Sequence, residues 1–206
     1  MALANYTDLQ ASIALWMVRT DLGAVIPDFV AIAEARINAD VRLREGISTV
    51  PLSTVVDSPE VALPVDWLEF ESLSDDGRPM EYITVSELRS RKNESATLNS
   101  RVPARYGIEG RNLLLTPTPA DVRVLEARYY AAVPPLATNP TNWLLTKYPN
   151  IYLYGSLVSG YQYLLNEEKA TYWGNLYVQA VSVAKGADDR AQTSGGRLTV
   201  RTRYLR

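Results

Sequence analysis

The chain has 206 residues, 47% of them apolar, a formal charge of -2, no cysteine and no histidine. Without those two side chains it cannot build a Ser-His-Asp triad, a Cys-His pair, a CxxC redox centre or a zinc site of the usual Cys/His type, which leaves carboxylate, lysine, tyrosine and arginine chemistry. The length is enough to bury roughly 70% of the unfolded chain's surface without disulfides or metal.

The longest strictly apolar stretch, Ile13 to Val18, is far shorter than the ~20 residues that cross a bilayer, and the N-terminal residues lack a basic segment followed by an apolar one. The expectation is a soluble chain, neither exported nor anchored in a membrane. Charge is unevenly distributed. Arg190 to Arg206 holds five arginines and no acid, leaving 16 basic against 23 acidic side chains in the first 189 residues. An acidic body with a basic end points to an end that docks on something else.

In chain order, Thr7 and Gln10 have the spacing of a capping box ahead of Leu9, Ile13 and Trp16, which predicts a short amphipathic helix ending near Thr20. Pro27 and Asp28 suit a first helical turn, and Phe29, Ile32, Ala33, Ile37 and Val41 repeat at helical spacing to about Arg44. Two helices so closely joined should pack antiparallel.

From Ser48 the texture becomes β, with prolines punctuating short segments rich in valine, leucine, tyrosine and threonine. Trp67 to Leu73 alternates before the turn sequence Asp75-Asp76-Gly77-Arg78, and Pro79 to Thr84 can return as its hairpin partner. Val85 to Arg91 reads as one helical excursion capped by Thr84 or Ser86. Arg105 to Ile108, Asn112 to Thr116 and Arg123 to Tyr130 read as further strands, with Glu109-Gly110-Arg111 turning between the first two.

Helical period returns in Pro149 to about Leu165 and Asn166 to about Ala187. Tyr154, Leu157, Val158, Tyr161 and Leu165 form one stripe; Trp173, Leu176, Tyr177, Ala180 and Ala184 form its partner. The predicted fold is α+β: a discontinuous helical bundle from residues 1–47 and 140–190, a β-rich insert over 48–139, and an extended arm over 191–206.

That arm is the sharpest feature. After Ser194-Gly195-Gly196, apolar or neutral Leu198, Val200, Thr202 and Tyr204 alternate with Arg197, Thr199, Arg201 and Arg203, before Leu205 and Arg206. Such a two-faced strand with nothing local to pair with suits addition to a neighbouring chain. Nine of the thirteen tyrosines lie between Tyr129 and Tyr177. Tyr148, Tyr152 and Tyr163 fall off the main stripe of their helix and are expected on a second buried face, supplied by another subunit or by the β lobe, where Gly155, Ser159 and Gly160 permit close approach.

Two other classes of function set the contrast. A muralytic or glycoside-cleaving enzyme needs a carboxylate pair across a cleft, for which Glu69 with Glu71, or Asp75 with Asp76, are the candidates. Their patterning is that of a solvent-facing strand and a turn. A nucleic-acid binder would use the terminal arginines on phosphates, against the repulsion of an acidic body and with no base-reading motif. Neither a catalytic set, a cofactor site nor a metal site is expected.

Tyr6-Thr7-Asp8-Leu9-Gln10 with Trp16, Ile26-Pro27-Asp28-Phe29 and Ala33 to Asn38 resemble the opening of bacteriophage head-to-tail adaptor proteins. Further segments resemble that family in the same order: Leu63 to Glu69, Tyr129-Tyr130, Asn142-Trp143-Leu144-Leu145, and Tyr148-Pro149 with Tyr152 to Gly155. The resemblance implies a structural virion protein of a short-tailed phage, made in the host cytoplasm and placed at the head-to-tail interface. It implies a homo-oligomeric ring, commonly twelvefold, that binds the portal protein, extends the channel through which genomic DNA passes, and offers a platform for tail nozzle or fibre proteins. The arm, with Arg197, Leu198, Val200, Arg201, Arg203, Tyr204, Leu205 and Arg206, would be the part that reaches the portal.

Overall fold

The computed structural model describes residues 3–91 and 102–193. The chain divides into two compact units, one of residues 1–44 with 133–206 and one of residues 45–132. The fold is α+β. The arm residues Arg197 to Arg206 and the Ser194-Gly195-Gly196 hinge lie outside the described residues.

The first unit is helical: α1 (Tyr6–Met17), α2 (Ile26–Asp40), α4 (Trp143–Lys147), α5 (Pro149–Tyr163) and α6 (Glu167–Thr193). The first helix starts one cap earlier than the Thr7 box predicts. Asn5 holds extended backbone angles and its Oδ1 accepts the Asp8 N–H at 2.9 Å, and Val18 closes the helix in the left-handed region, so it ends before Thr20. In α2, Pro27 sits in the first turn as its missing N–H and fixed φ favour.

α5 is the hub, packing against α1, α2, α4 and α6. It is therefore buried nearly all round, from Ile151 to Tyr161, and the single stripe expected for it is too narrow. Leu165, placed on that stripe, lies past the end of α5 with φ 54° and is exposed. Ile32, read as core, is exposed on α2, whereas Leu9, Ile13, Phe29, Ile37, Leu144 and Ile151 are buried. α6 continues to Thr193, so residues 191–193 are helical and are not part of an extended arm.

The close approach expected at the small residues of α5 is real, and its partners are helices of the same unit. A Cβ on Gly155 would stand 3.3 Å from the Ala33 Cβ of α2, and one on Gly160 would overlap the Met17 sulfur of α1 at 2.8 Å.

Among the described residues the second unit holds eight strands and one α-helix: β1 (Ile47–Ser53), β2 (Glu60–Ala62), β3 (Trp67–Asp75), β4 (Arg78–Pro79), β5 (Glu81–Tyr82), α3 (Val85–Arg91), β6 (Arg105–Glu109), β7 (Asn112–Thr116) and β8 (Val124–Ala131). They form two four-stranded sheets, ordered β1-β8-β3-β4 and β2-β7-β6-β5. Leu52, Leu73, Leu125 and Ala127 of one sheet share a core with Val61, Tyr106, Leu113 and Leu115 of the other. The β3–β4 hairpin turns at Asp76 and Gly77, both at positive φ, as a two-residue turn matched to strand twist demands. Gly110, at φ 61°, turns β6 into β7 where the sequence places a turn. The Thr84 hydroxyl accepts the Glu87 N–H at 3.3 Å, capping α3.

Candidate contact surfaces

The carboxylates that an enzyme reading would require lie along β3 and in the turn that follows it. Glu69 and Glu71 are exposed on β3, where two register shifts interrupt the alternation, and Glu71 pairs with Arg128 at 2.8 Å. Asp75, expected in a turn, is instead the last residue of β3 and is buried. Its Oδ2 accepts from the Arg123 Nε at 2.6 Å, and the Arg123 backbone N–H in turn donates to the Thr54 hydroxyl at 2.9 Å. Hydrogen bonding to Asp75 raises the pKa of Arg123. Among the described residues there is no group of three or more acidic side chains placed to hold a metal, and no helix is long and apolar enough to cross a membrane.

The three tyrosines assigned to a second buried face have three different fates. Tyr152 is fully buried in the core of its own unit, where its hydroxyl accepts from the Asn142 Nδ2 at 2.7 Å. It has no surface to offer another chain, which corrects its assignment to an interface. Burial pushes its pKa up strongly, with the Asn142 hydrogen bond opposing. Tyr148 is half-buried with the Lys147 ammonium 5.5 Å from its ring centroid. Tyr163 is 57% exposed and its ring lies 5.5 Å from that of Phe29.

Polar and charged residues of α2 bind other parts of their unit. Glu34 accepts the Leu136 N–H at 2.7 Å and Asn38 accepts the Val133 N–H at 2.9 Å, so α2 pins the segment that enters the second half of the helical unit. Burial raises the Glu34 pKa, and the Leu136 N–H opposes that rise. Asp40 accepts the Tyr177 hydroxyl at 3.1 Å, and the Arg36 guanidinium stands 5.8 Å from the centroid of the same ring. Arg44 joins Asp188 of α6 twice, through its Nε at 2.9 Å and its backbone N–H at 3.1 Å.

Two flanks of α6 carry the features that the sequence reading missed. On one, Trp173 meets Trp16 of α1 edge to face at 5.4 Å, and also touches Tyr154 and Tyr172, while Trp16 is 46% and Tyr172 58% exposed. On the other, open hollows of about 550 and 310 Å³ lie between α6 and α2, sharing Arg36, Thr171 and Gly174. A signal for both was present: no charged side chain occurs between Lys169 and Lys185, about four turns of a helix whose outer face should carry charges if only water met it.

Exposed aromatic and apolar side chains on one flank of α6 and open hollows on the other are features suited to contact with other molecules. Among curated proteins none matches the chain. The family model of the SU10 adaptor protein matches residues 4–201, and the chain belongs to that family. It is thus a structural adaptor of bacteriophage and a component of the virion.

Proposed function

We propose that the protein forms a closed ring on the portal vertex, extends the DNA channel, and presents a platform to tail nozzle or fibre proteins, without catalysing a reaction. The observation that carries this reading is the match to the adaptor family across nearly the whole chain. Composition supports it, since a chain without histidine or cysteine is poor in tunable reactive groups and rich in the tyrosine and arginine that make interfaces.

In this reading the helical unit makes the ring, with twelve copies matching a twelvefold portal, and the β unit meets tail components. Tyr148 and Tyr163 supply contact area at subunit or lobe boundaries. Arg197, Leu198, Val200, Arg201, Arg203, Tyr204, Leu205 and Arg206 dock on the portal. Many modest contacts in a closed ring sum to tight attachment, so each monomer can remain separate until the portal gathers them. Ordering a segment costs entropy, which makes attachment conditional on a partner groove that repays it.

The test is electron microscopy and sedimentation of the purified chain mixed with its portal. Full-length protein should add a ring to the portal, and protein truncated after Thr193 should stay folded and remain unbound. Equal docking by the truncated chain would refute the role given to residues 194–206.

A further inference from the structure

The helical unit presents two unlike faces on opposite flanks of α6. The first is a ridge. Trp16 of α1 and Tyr172, Leu176 and Val183 of α6 line it, with Val183 61% exposed, and Lys169 stands on the same flank. The second is a trough. Hollows of about 550 and 310 Å³ against α6 share Arg36, Thr171 and Gly174, and a hollow of about 380 Å³ between α2 and α5 adjoins the larger one through Gln162. Together they run beside α2 from Asp28 to Asp40, roughly 18 Å at 1.5 Å per residue, which is the length of a helix–helix contact.

The faces complement each other in shape and charge. The ridge is aromatic and aliphatic and carries the cation of Lys169; the trough has a small-residue wall at Gly174 and carries Asp28, Asp40 and Glu167 against Arg36 alone. The two faces lie on opposite flanks, so one two-fold contact cannot seat both ridges in both troughs, whereas head-to-tail contact uses both faces of every copy and gives a ring when the rotation between neighbours closes.

We infer that the Trp16/Tyr172/Val183 ridge of one copy seats in the α2/α6 trough of the next, making this the subunit interface of the assembled adaptor. The inference rests on the ring reading above. It assigns the occupant of the trough as a second copy of this chain, not a small molecule or a tail peptide.

The chain's lack of cysteine makes the test direct. Val183→Cys marks the ridge and Val178→Cys, also exposed, marks the trough wall. The two full-length variants, one carrying a mass tag, are assembled on portal, inspected by electron microscopy and treated with a short bis-maleimide. Rings should form, and mixed-mass dimers should appear only when both variants are present. Rings without mixed dimers, or cross-linked dimers from Val183→Cys alone, would overturn the face assignment while leaving the adaptor reading intact. Failure of the unmodified chain to form any ring would overturn both.

Discussion

Asn142 uses both ends of its amide to fasten the centre of the helical unit to Tyr152. Its Oδ1 accepts the Leu145 N–H at 2.8 Å as the cap of α4, while its Nδ2 donates to the Pro134 carbonyl at 2.9 Å and to the Tyr152 hydroxyl at 2.7 Å. Both residues are buried, so a lost partner is not replaced by bulk water. Asn142→Ala should therefore destabilise the protein by about 2–4 kcal/mol, combining a lost cap with stranded acceptors. Tyr152→Phe leaves Asn142 one acceptor and should cost only about 1 kcal/mol. Urea titration followed by circular dichroism separates the two; equal losses would mean that the tyrosine hydroxyl is the main anchor.

Glu34 predicts a dependence on pH. Its folded pKa is raised by burial, so the folded state holds its proton to higher pH than the unfolded chain, and stability falls as pH rises from the ordinary carboxylate value through the folded one. Glu34→Gln keeps an oxygen that can accept the Leu136 N–H and removes the buried charge. The variant should lose that portion of the pH slope in thermal melts, while Glu34→Ala, which loses the slope and the acceptor together, should be less stable than Glu34→Gln by about 1–2 kcal/mol at every pH.

The Asp75–Arg123 pair supplies a test within the β unit. Arg123→Met leaves a buried carboxylate without its cation and should cost about 3 kcal/mol. Combining it with Asp75→Leu should recover much of the loss, because the uncompensated charge goes with it. A double variant as unstable as the single one would show that the Asp75 site cannot accept an apolar side chain.

Glycines in α5 and α6 predict opposite signs. A side chain at Gly155 meets Ala33 and Tyr177, so Gly155→Leu should destabilise by about 1–3 kcal/mol through overpacking. Gly186 has nothing within 4 Å of a would-be Cβ, and Gly186→Ala should stabilise by about 0.5–1 kcal/mol by lowering the entropy lost on forming the helix. Differential scanning calorimetry reads both; destabilisation by Gly186→Ala would reveal a demand on that backbone that its surroundings do not explain.

The alternation of helical and strand periods was enough to place most elements, because period 3.6 and period 2 are local properties of a chain with one buried face. The turns at Asp76-Gly77 and Gly110 were equally legible, since positive φ selects those residue types wherever they fall. Periodicity misjudged α5, where four neighbours bury almost every face and leave no stripe to read. It misjudged Tyr152 for the same reason.

What the amino-acid order determined alone was the alphabet of possible chemistry, the run of helices and strands, and the uncharged stretch of α6. Only the folded chain decided that Glu34 and Asn38 would hold a distant segment and that Tyr152 would be internal. It alone brought Trp16 beside Trp173 while opening a trough on the opposite flank. These relations join residues far apart in sequence, and a pairing of that kind is set by which surfaces pack together, a property no window of neighbouring residues contains.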